Sequence, residues 1–265
     1  MDAKIEPHPE KIGYAAFSQI NDLIFLNEPV SEAEYQEFIS ADFWIIYEQD
    51  ALIGYSVMTN SGEKAHIRRI GIHPDFRSKG FAAKLMDRML NRANDLDVNI
   101  VTLSVQQDNR AAIHLYEKYG FRVTGESVQF SVPIIPMRVE PYYIISIDEY
   151  QVNEKYYPPI QQILDWADGH QPPHKFVLVF LRQDIPVGFV RFSPDYPGCQ
   201  PFELFSDQDV EDIRILVSLL DEYALPGKRT IKITTGNSRA IELFRSASTK
   251  ENYSLYEMVK ILKNA

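Results

Sequence analysis

The sequence predicts an α/β protein: a mixed sheet with helices on both faces, built twice in tandem. Three observations carry that reading. Between His66 and Tyr119, β-rich runs alternate with helix-period segments, an order that implies parallel pairing through a crossover. Asn109-Arg110-Ala111-Ala112-Ile113-His114-Leu115-Tyr116 is echoed by Asn237-Ser238-Arg239-Ala240-Ile241-Glu242-Leu243-Phe244, and Leu52-Ile53-Gly54-Tyr55 by Pro186-Val187-Gly188-Phe189. The echoes keep their order at offsets of 128 (237 minus 109) and 134 (188 minus 54), so the second copy has lost about six residues between them. Projecting the upstream offset back starts the second copy near residue 135, inside the stretch from Pro133 to Pro141, where three prolines discourage regular structure. Two domains are therefore expected, 1–135 and 136–265.

The elements of the first copy follow in chain order. Ser31-Glu32-Ala33-Glu34 forms a capping box and predicts a short helix through Ser40, with Ala33, Tyr35 and Phe38 as its apolar residues. Phe43 to Glu48 and Leu52 to Thr59, rich in β-branched and aromatic residues, flank Gln49-Asp50-Ala51 and read as a hairpin. His66 to Ile72 predicts a strand ended by Pro74. From Phe81 to Leu96, apolar Ala82, Leu85, Met86, Met89, Ala93 and Leu96 share one stripe opposite Lys84, Asp87, Arg88, Asn91 and Arg92, which predicts an amphipathic helix. Ile100 to Val105 is a buried-strand run, and Ala111 to Tyr119 a second helix closed by Gly120 as a left-handed cap.

Composition bounds the partners. A chain of 265 residues with 45% hydrophobic content supports real cores. Its net charge of -10, with no offsetting run of Lys and Arg, repels phosphate backbones, so nucleic acid is not an expected partner. Cys199, the single cysteine, makes neither an internal disulfide nor a thiolate zinc site. Residues 1–13 lack an apolar signal core, and no apolar run approaches the roughly 20 residues a bilayer needs, so a cytoplasmic protein without membrane association is expected. His170 and His174 stand four apart, but Pro172 and Pro173 exclude the helix that would align them as ligands; no metal is expected.

The chemistry concentrates in Ile70-Gly71-Ile72-His73-Pro74-Asp75-Phe76-Arg77-Ser78-Lys79-Gly80-Phe81-Ala82, which joins a strand to the amphipathic helix. Amides at a helix start, reinforced by the helix dipole, bind anions, and a glycine lets the backbone approach them closely. Arg77 and Lys79 add positive charge. Neither the Walker pattern nor the dinucleotide fingerprint is present; an ordinary basic loop is the plain alternative. Here the sequence resembles the GNAT superfamily of acyl-CoA N-acyltransferases. Arg77-Ser78-Lys79-Gly80-Phe81-Ala82 fits its Q/R-x-x-G-x-G/A pyrophosphate loop, and Asn109, Ala112, Leu115-Tyr116 and Gly120-Phe121 fit its closing N-x-x-A-x-x-L-Y-x-x-x-G-F run. The resemblance covers roughly residues 3 to 135.

That resemblance implies a GNAT-like mixed central sheet and an N-acetyltransferase that uses acetyl-CoA as co-substrate. The loop from Arg77 to Ala82 (Arg77, Ser78, Lys79, Gly80, Phe81, Ala82) would hold the CoA pyrophosphate, backbone groups of Ile70, Gly71 and Ile72 would meet the pantetheine arm and polarise the thioester carbonyl, and Asn109 would contact the cofactor arm. Tyr116 matches the general acid for the departing thiolate, against a reading as a core aromatic on the Ala112, Leu115, Tyr119 face. His66 stands where many relatives carry a Glu base; Glu63, or a water held by Tyr55 or Ser56, stays open, as does a purely surface role for His66. Transfer would be direct, from acetyl-CoA to a primary amine on a small molecule or peptide, with a homodimer among the admitted assemblies. A CoA-binding sensor without turnover, or a partner-binding protein, is the alternative class. In the second copy the strand-to-helix junction reads Glu203-Leu204-Phe205-Ser206-Asp207-Gln208-Asp209-Val210-Glu211-Asp212, with no glycine, no Arg or Lys and five carboxylates, and Phe244 replaces the general acid. It is expected to keep the fold and bind no acyl-CoA.

Overall fold

The computed structural model describes the chain except residues 1–2, 8–11, 27, 153–160, 165–174, 195–197, 206–208, 228 and 263–265. His170, His174 and Ser206 to Gln208 thus lie outside the described residues. Two compact units emerge: Met1–Thr124 with Tyr256–Ala265, and Gly125–Leu255.

In the first unit, strands β1 (Ala3–Pro7), β2 (Asp42–Glu48), β3 (Ala51–Ser61), β4 (Lys64–Ile72) and β5 (Ile100–Gln106) lie side by side in that order, and β12 (Lys250–Ile261) stands beside β5. Helices α1 (Tyr14–Ile24) and α2 (Glu32–Ile39) cover one face, where Phe17, Tyr35 and Phe38 pack on Phe43, Ile45, Tyr55 and Val57. Helices α3 (Phe81–Asp95) and α4 (Arg110–Lys118) share the other core, where Leu85, Met86 and Met89 meet Ile46, Ile53, Ile67, Leu103 and Met258. The local causes are those the sequence supplies. Ser31 accepts the Glu34 amide and Asn109 the Ala112 amide, satisfying donors that helix starts leave unpaired. Gln49 and Asp50 take positive φ to close the β2–β3 hairpin.

The second unit repeats the plan. Strands β6 (Arg122–Pro133), β7 (Tyr142–Ser146), β8 (Phe176–Arg182), β9 (Ile185–Ser193), β10 (Gly198–Leu204) and β11 (Thr230–Thr235) run in the order β7-β8-β9-β10-β11-β6, with helices α5 (Ile147–Val152), α6 (Gln161–Leu164), α7 (Ile213–Leu219) and α8 (Ser238–Ser246). Gln183 and Asp184 repeat the positive-φ hairpin, and Asn237 caps α8 through the Ala240 amide as Asn109 caps α4. Gly54 and Gly188 share one cause: a Cβ would come within 2.4 Å of the Gly71 carbonyl oxygen or 2.3 Å of the Glu203 carbonyl oxygen.

The division differs from the expected 1–135 and 136–265. The strand that follows α4 in sequence, β6, pairs along Val128 to Pro133 with β11 of the second unit, while the place beside β5 is taken by the far end of the chain. The proline-bearing stretch from 134 to 139 carries no regular element, as expected, but lies inside the second unit. Among the described residues no helix is long and apolar enough to cross a membrane.

Candidate active site

The site begins where β4 and β5 part. Their parallel ladder runs from Lys64 opposite Ile100 to Ile67 opposite Leu103, and β4 then continues to Ile72 and β5 to Gln106. The parting coincides with a bulge against β3: Ile67 faces Met58 and Arg69 faces Val57, leaving Arg68 as the extra residue. Beyond it the pairs sum to one register, and the His73 amide donates to the Ile53 carbonyl at 2.7 Å. Hydrogen-bonded pairs alternate in an antiparallel ladder, so Gly71 and Arg69 turn their backbone groups toward β3, while Ile70 and Ile72 turn theirs toward the gap beside β5. Gly71 therefore has a different task from its neighbours: a Cβ there would meet Ile24 Cγ2 at 2.3 Å and the Phe25 ring at 2.6 Å, so its missing side chain seats the end of α1.

Beyond Ile72 the chain makes one 3₁₀ turn, Pro74–Phe76, and enters α3. Ser78 (φ 62°) and Gly80 (φ 82°) both adopt the left-handed conformation, and Gly80 is the N-cap residue. A Cβ at Gly80 would meet nothing within 4 Å, so the amides of the first turn of α3 open onto unobstructed space. Arg77 does not point there. Its Nε donates to the Ile72 carbonyl at 3.0 Å and a terminal nitrogen to the Ile24 carbonyl at 3.1 Å, pinning the loop to β4 and α1. Lys79 lies over the Phe76 ring at 4.9 Å, exposed with Ser78 and Gly80, while Phe81 is buried and Ala82 half-buried.

Asn109 is exposed, and its Oδ1 is committed to the α4 cap at 3.2 Å. Tyr116 is 6% exposed in the α3–α4 core with its ring 6.0 Å from Phe121, and burial pushes its phenol well above the ordinary tyrosine range. His66 sits on the last rungs of the paired ladder, opposite Thr102. The Thr102 hydroxyl lies 2.8 Å from His66 Nδ1 and 3.3 Å from the Ala65 carbonyl; in the tautomer whose Nδ1 donates to that hydroxyl, the basic lone pair is on Nε2. Glu63 lies in the β3–β4 turn at the opposite end of β4 from the loop. The Tyr55 hydroxyl donates to Asn21 Oδ1 (2.7 Å), and Ser56, fully buried, faces Ile70 across the ladder.

Sequence reasoning missed the residues on the α1–α2 face. Asn21, buried, accepts from Tyr55 and Arg69 (3.2 Å); Glu28 accepts from Gln106 (3.1 Å) and stands 3.9 Å from Arg69; Arg68 pairs with Glu37 (2.8 Å) and Glu34 (3.3 Å). Ser104 donates to Glu257, a residue of β12, at 2.6 Å. A polar residue at the centre of α1's buried stripe was the one local signal for Asn21; Glu257 left none.

The second unit has the same parting and closes it. The β10–β11 ladder ends at Cys199 opposite Ile233, and Leu204 stands to Gly188 as Ile72 stands to Gly54. Here, however, the Thr235 hydroxyl donates to the Phe202 carbonyl (2.6 Å), and Asn237 Nδ2 to the Leu204 carbonyl (2.8 Å) and to Glu203 (3.2 Å). In the first unit the Ile72 carbonyl is taken by Arg77 Nε from the loop, and among the described residues no side chain of β5 or α4 donates to Ile70 or Ile72. Burial raises the Glu203 carboxyl above its ordinary range, with the Asn237 bond opposing, and Asp209, Glu211 and Asp212 are paired with Arg239, Arg182 and Arg214.

Residues 14–121 match the model of the Acetyltransferase (GNAT) family. The match lies within the first unit and covers less than half of the chain. A peptidyl-lysine N-acetyltransferase of Salmonella typhimurium is 34% identical over 101 residues, 36% of this chain and 63% of that protein, so the chain spans less than two thirds of that relative's length. Two solved structures share the fold over the whole chain. A GCN5-related N-acetyltransferase from Sphaerobacter thermophilus superposes with a TM-score of 0.70 at 14% identity, covering 99% of this chain and 96% of the other. A tandem GNAT protein from the clavulanic acid biosynthesis pathway superposes at 0.66 and 10% identity, covering all of both chains. The GNAT fold is thus present twice, and the family match falls on the unit whose β4–β5 gap is open.

Proposed function

We propose that this chain is an N-acetyltransferase of the GNAT type that binds one acetyl-CoA, in the first unit, and transfers the acetyl group directly to a primary amine. The observation that carries the reading is the joint placement of Ile70 and Ile72, whose backbone groups turn into the gap beside β5, and of Gly80, which opens the amides of α3. The substrate supplies an activated thioester. The amides of Ser78 to Ala82 hold its pyrophosphate; the amides of Ile70 and Ile72 hold the arm and polarise the carbonyl; Asn109 borders the arm. Arg77 acts through the loop's shape, and Gly71 through packing. His66 Nε2 takes the amine's proton, and Tyr116 returns one to the departing thiolate. The second unit holds no acyl-CoA, because the Thr235 hydroxyl of the adjoining strand already occupies the Phe202 carbonyl, the counterpart of the one at Ile70, and Asn237 ties Leu204 and Glu203 to α8.

Calorimetric titration of the full chain with acetyl-CoA tests this. One site per chain is expected, and Gly80→Glu is expected to weaken it by at least about 100-fold, since the new carboxylate stands where the pyrophosphate belongs. Two sites per chain, or unchanged affinity in the variant, would sink the assignment.

A further inference from the structure

We propose that the first unit carries, apart from the acyl-transfer site, a second ligand site in the crevice between α3 and β2, and that it takes a small organic acid: one carboxylate on an apolar body. Alternation along β2 puts Asp42, Trp44 and Ile46 on the sheet face that α3 covers. Arg88, Arg92 and Asp95, at i, i+4 and i+7, form the stripe of α3 that overlooks them. Between these two rows and Pro7, which pairs with Trp44 from β1, lies a depression of about 240 Å³. Sites for drug-sized ligands measure roughly 300–1,000 Å³, so the occupant is smaller than those.

The two arginines of the crevice are not equivalent. Arg92 Nε donates to Asp42 Oδ1 at 2.7 Å and Asn60 Nδ2 to Asp42 Oδ2 at 3.3 Å, so that ion pair is complete within the protein. Arg88 is stacked instead: its guanidinium carbon stands 4.0 Å from the centre of the Trp44 ring, and among the described residues it meets no carboxylate. A guanidinium lying on an indole face keeps its N–H edge free, and that fork fits both oxygens of one carboxylate. Trp44 adds an independent sign. The residue is buried, and its Nε1 finds no acceptor among the described residues, a state that buried donors avoid. An acid held by Arg88 brings oxygen to the ring that lines the same depression, while Pro7 and the indole give its body an apolar wall. The lining sums to neutral, with Asp42 and Asp95 against two guanidinium groups, so a polyanion such as phosphate gains no field beyond the one free fork.

The test is an NMR titration of the isotope-labelled full chain, read at its two tryptophan indole N–H signals, with calorimetry for the affinities. Trp44→Phe assigns the signals, or Trp166→Phe should that variant fail to fold. Benzoate, phenylacetate and hexanoate are the probes, phenylacetamide is the uncharged counterpart, and inorganic phosphate the bare anion. At least one acid is expected to move the Trp44 signal saturably with a Kd of about 0.1–5 mM, a range that roughly ten heavy atoms support. Phenylacetamide and phosphate should bind at least about tenfold more weakly than that acid. Arg88→Met keeps a side chain over the ring but removes the fork, and should weaken the acid at least about tenfold; Arg88→Lys, which keeps only the charge, should fall between. The site is overturned if no acid moves the Trp44 signal, if the amide or phosphate matches the acids, or if Arg88→Met binds them as wild type does. None of these outcomes bears on acyl transfer.

Discussion

At Tyr116 the burial that packs the ring also fixes its protonation: the phenol is pushed up, so it keeps its proton throughout the working range of the protein. That suits a group whose proposed task is to give a proton only when a thiolate forms beside it. Tyr116→Phe keeps the ring and its contact with Phe121, so we expect kcat to fall roughly ten- to a thousand-fold with acetyl-CoA affinity unchanged. Calorimetry and steady-state rates on the same preparation check it, and wild-type turnover would return Tyr116 to the core. The positive φ of Gly80 and the cap made by Asn109 are both properties of a few neighbouring residues, yet the sequence was read at those positions for ligand contacts. The packing parts played by the Arg77 side chain and by Gly71 left no local trace, since a charge and a glycine beside a phosphate-type loop look alike whether they meet a ligand or the end of α1.

Elements were read well where one face is apolar throughout. The stripe of α3, the β2–β3 hairpin and β4 stand where the sequence expects them; α1 was missed, because its buried positions Phe17, Asn21 and Ile24 interrupt the apolar pattern with an amide whose oxygen is met by Tyr55 and Arg69, both far along the chain. The echoed glycines gain a physical reason here. Both sit under a neighbouring strand's carbonyl, so Gly54→Ala and Gly188→Ala should each destabilise by about 1–3 kcal/mol, the usual cost of overpacking. Urea unfolding checks this, and a neutral result at either position would remove the shared cause. Since Gly54 lies opposite Ile72, its substitution should also weaken acetyl-CoA binding, whereas that at Gly188 should not.

For the whole molecule, the repeat was legible but its boundary was not, because the pairing of β6 with β11 and the placing of β12 beside β5 join residues about a hundred or more positions apart and leave no local trace. A fragment 1–135 would lack Met258, 1% exposed in the first unit's core, and would leave β5 without its neighbour. We expect that fragment to aggregate or melt well below the full chain, and a synthetic peptide spanning 250–262 to restore both its melting transition and its acetyl-CoA binding; a fragment that needs no peptide would contradict the assignment of Tyr256–Ala265. The same assignment sets an order on the ribosome. Domains ordinarily fold as they emerge, the N-terminal one first. Here the unit that begins first must wait for its last strand until every residue of the other has been translated, so the nascent chain carries an open sheet edge for most of its synthesis, and the half that matched the family is the half that matures last.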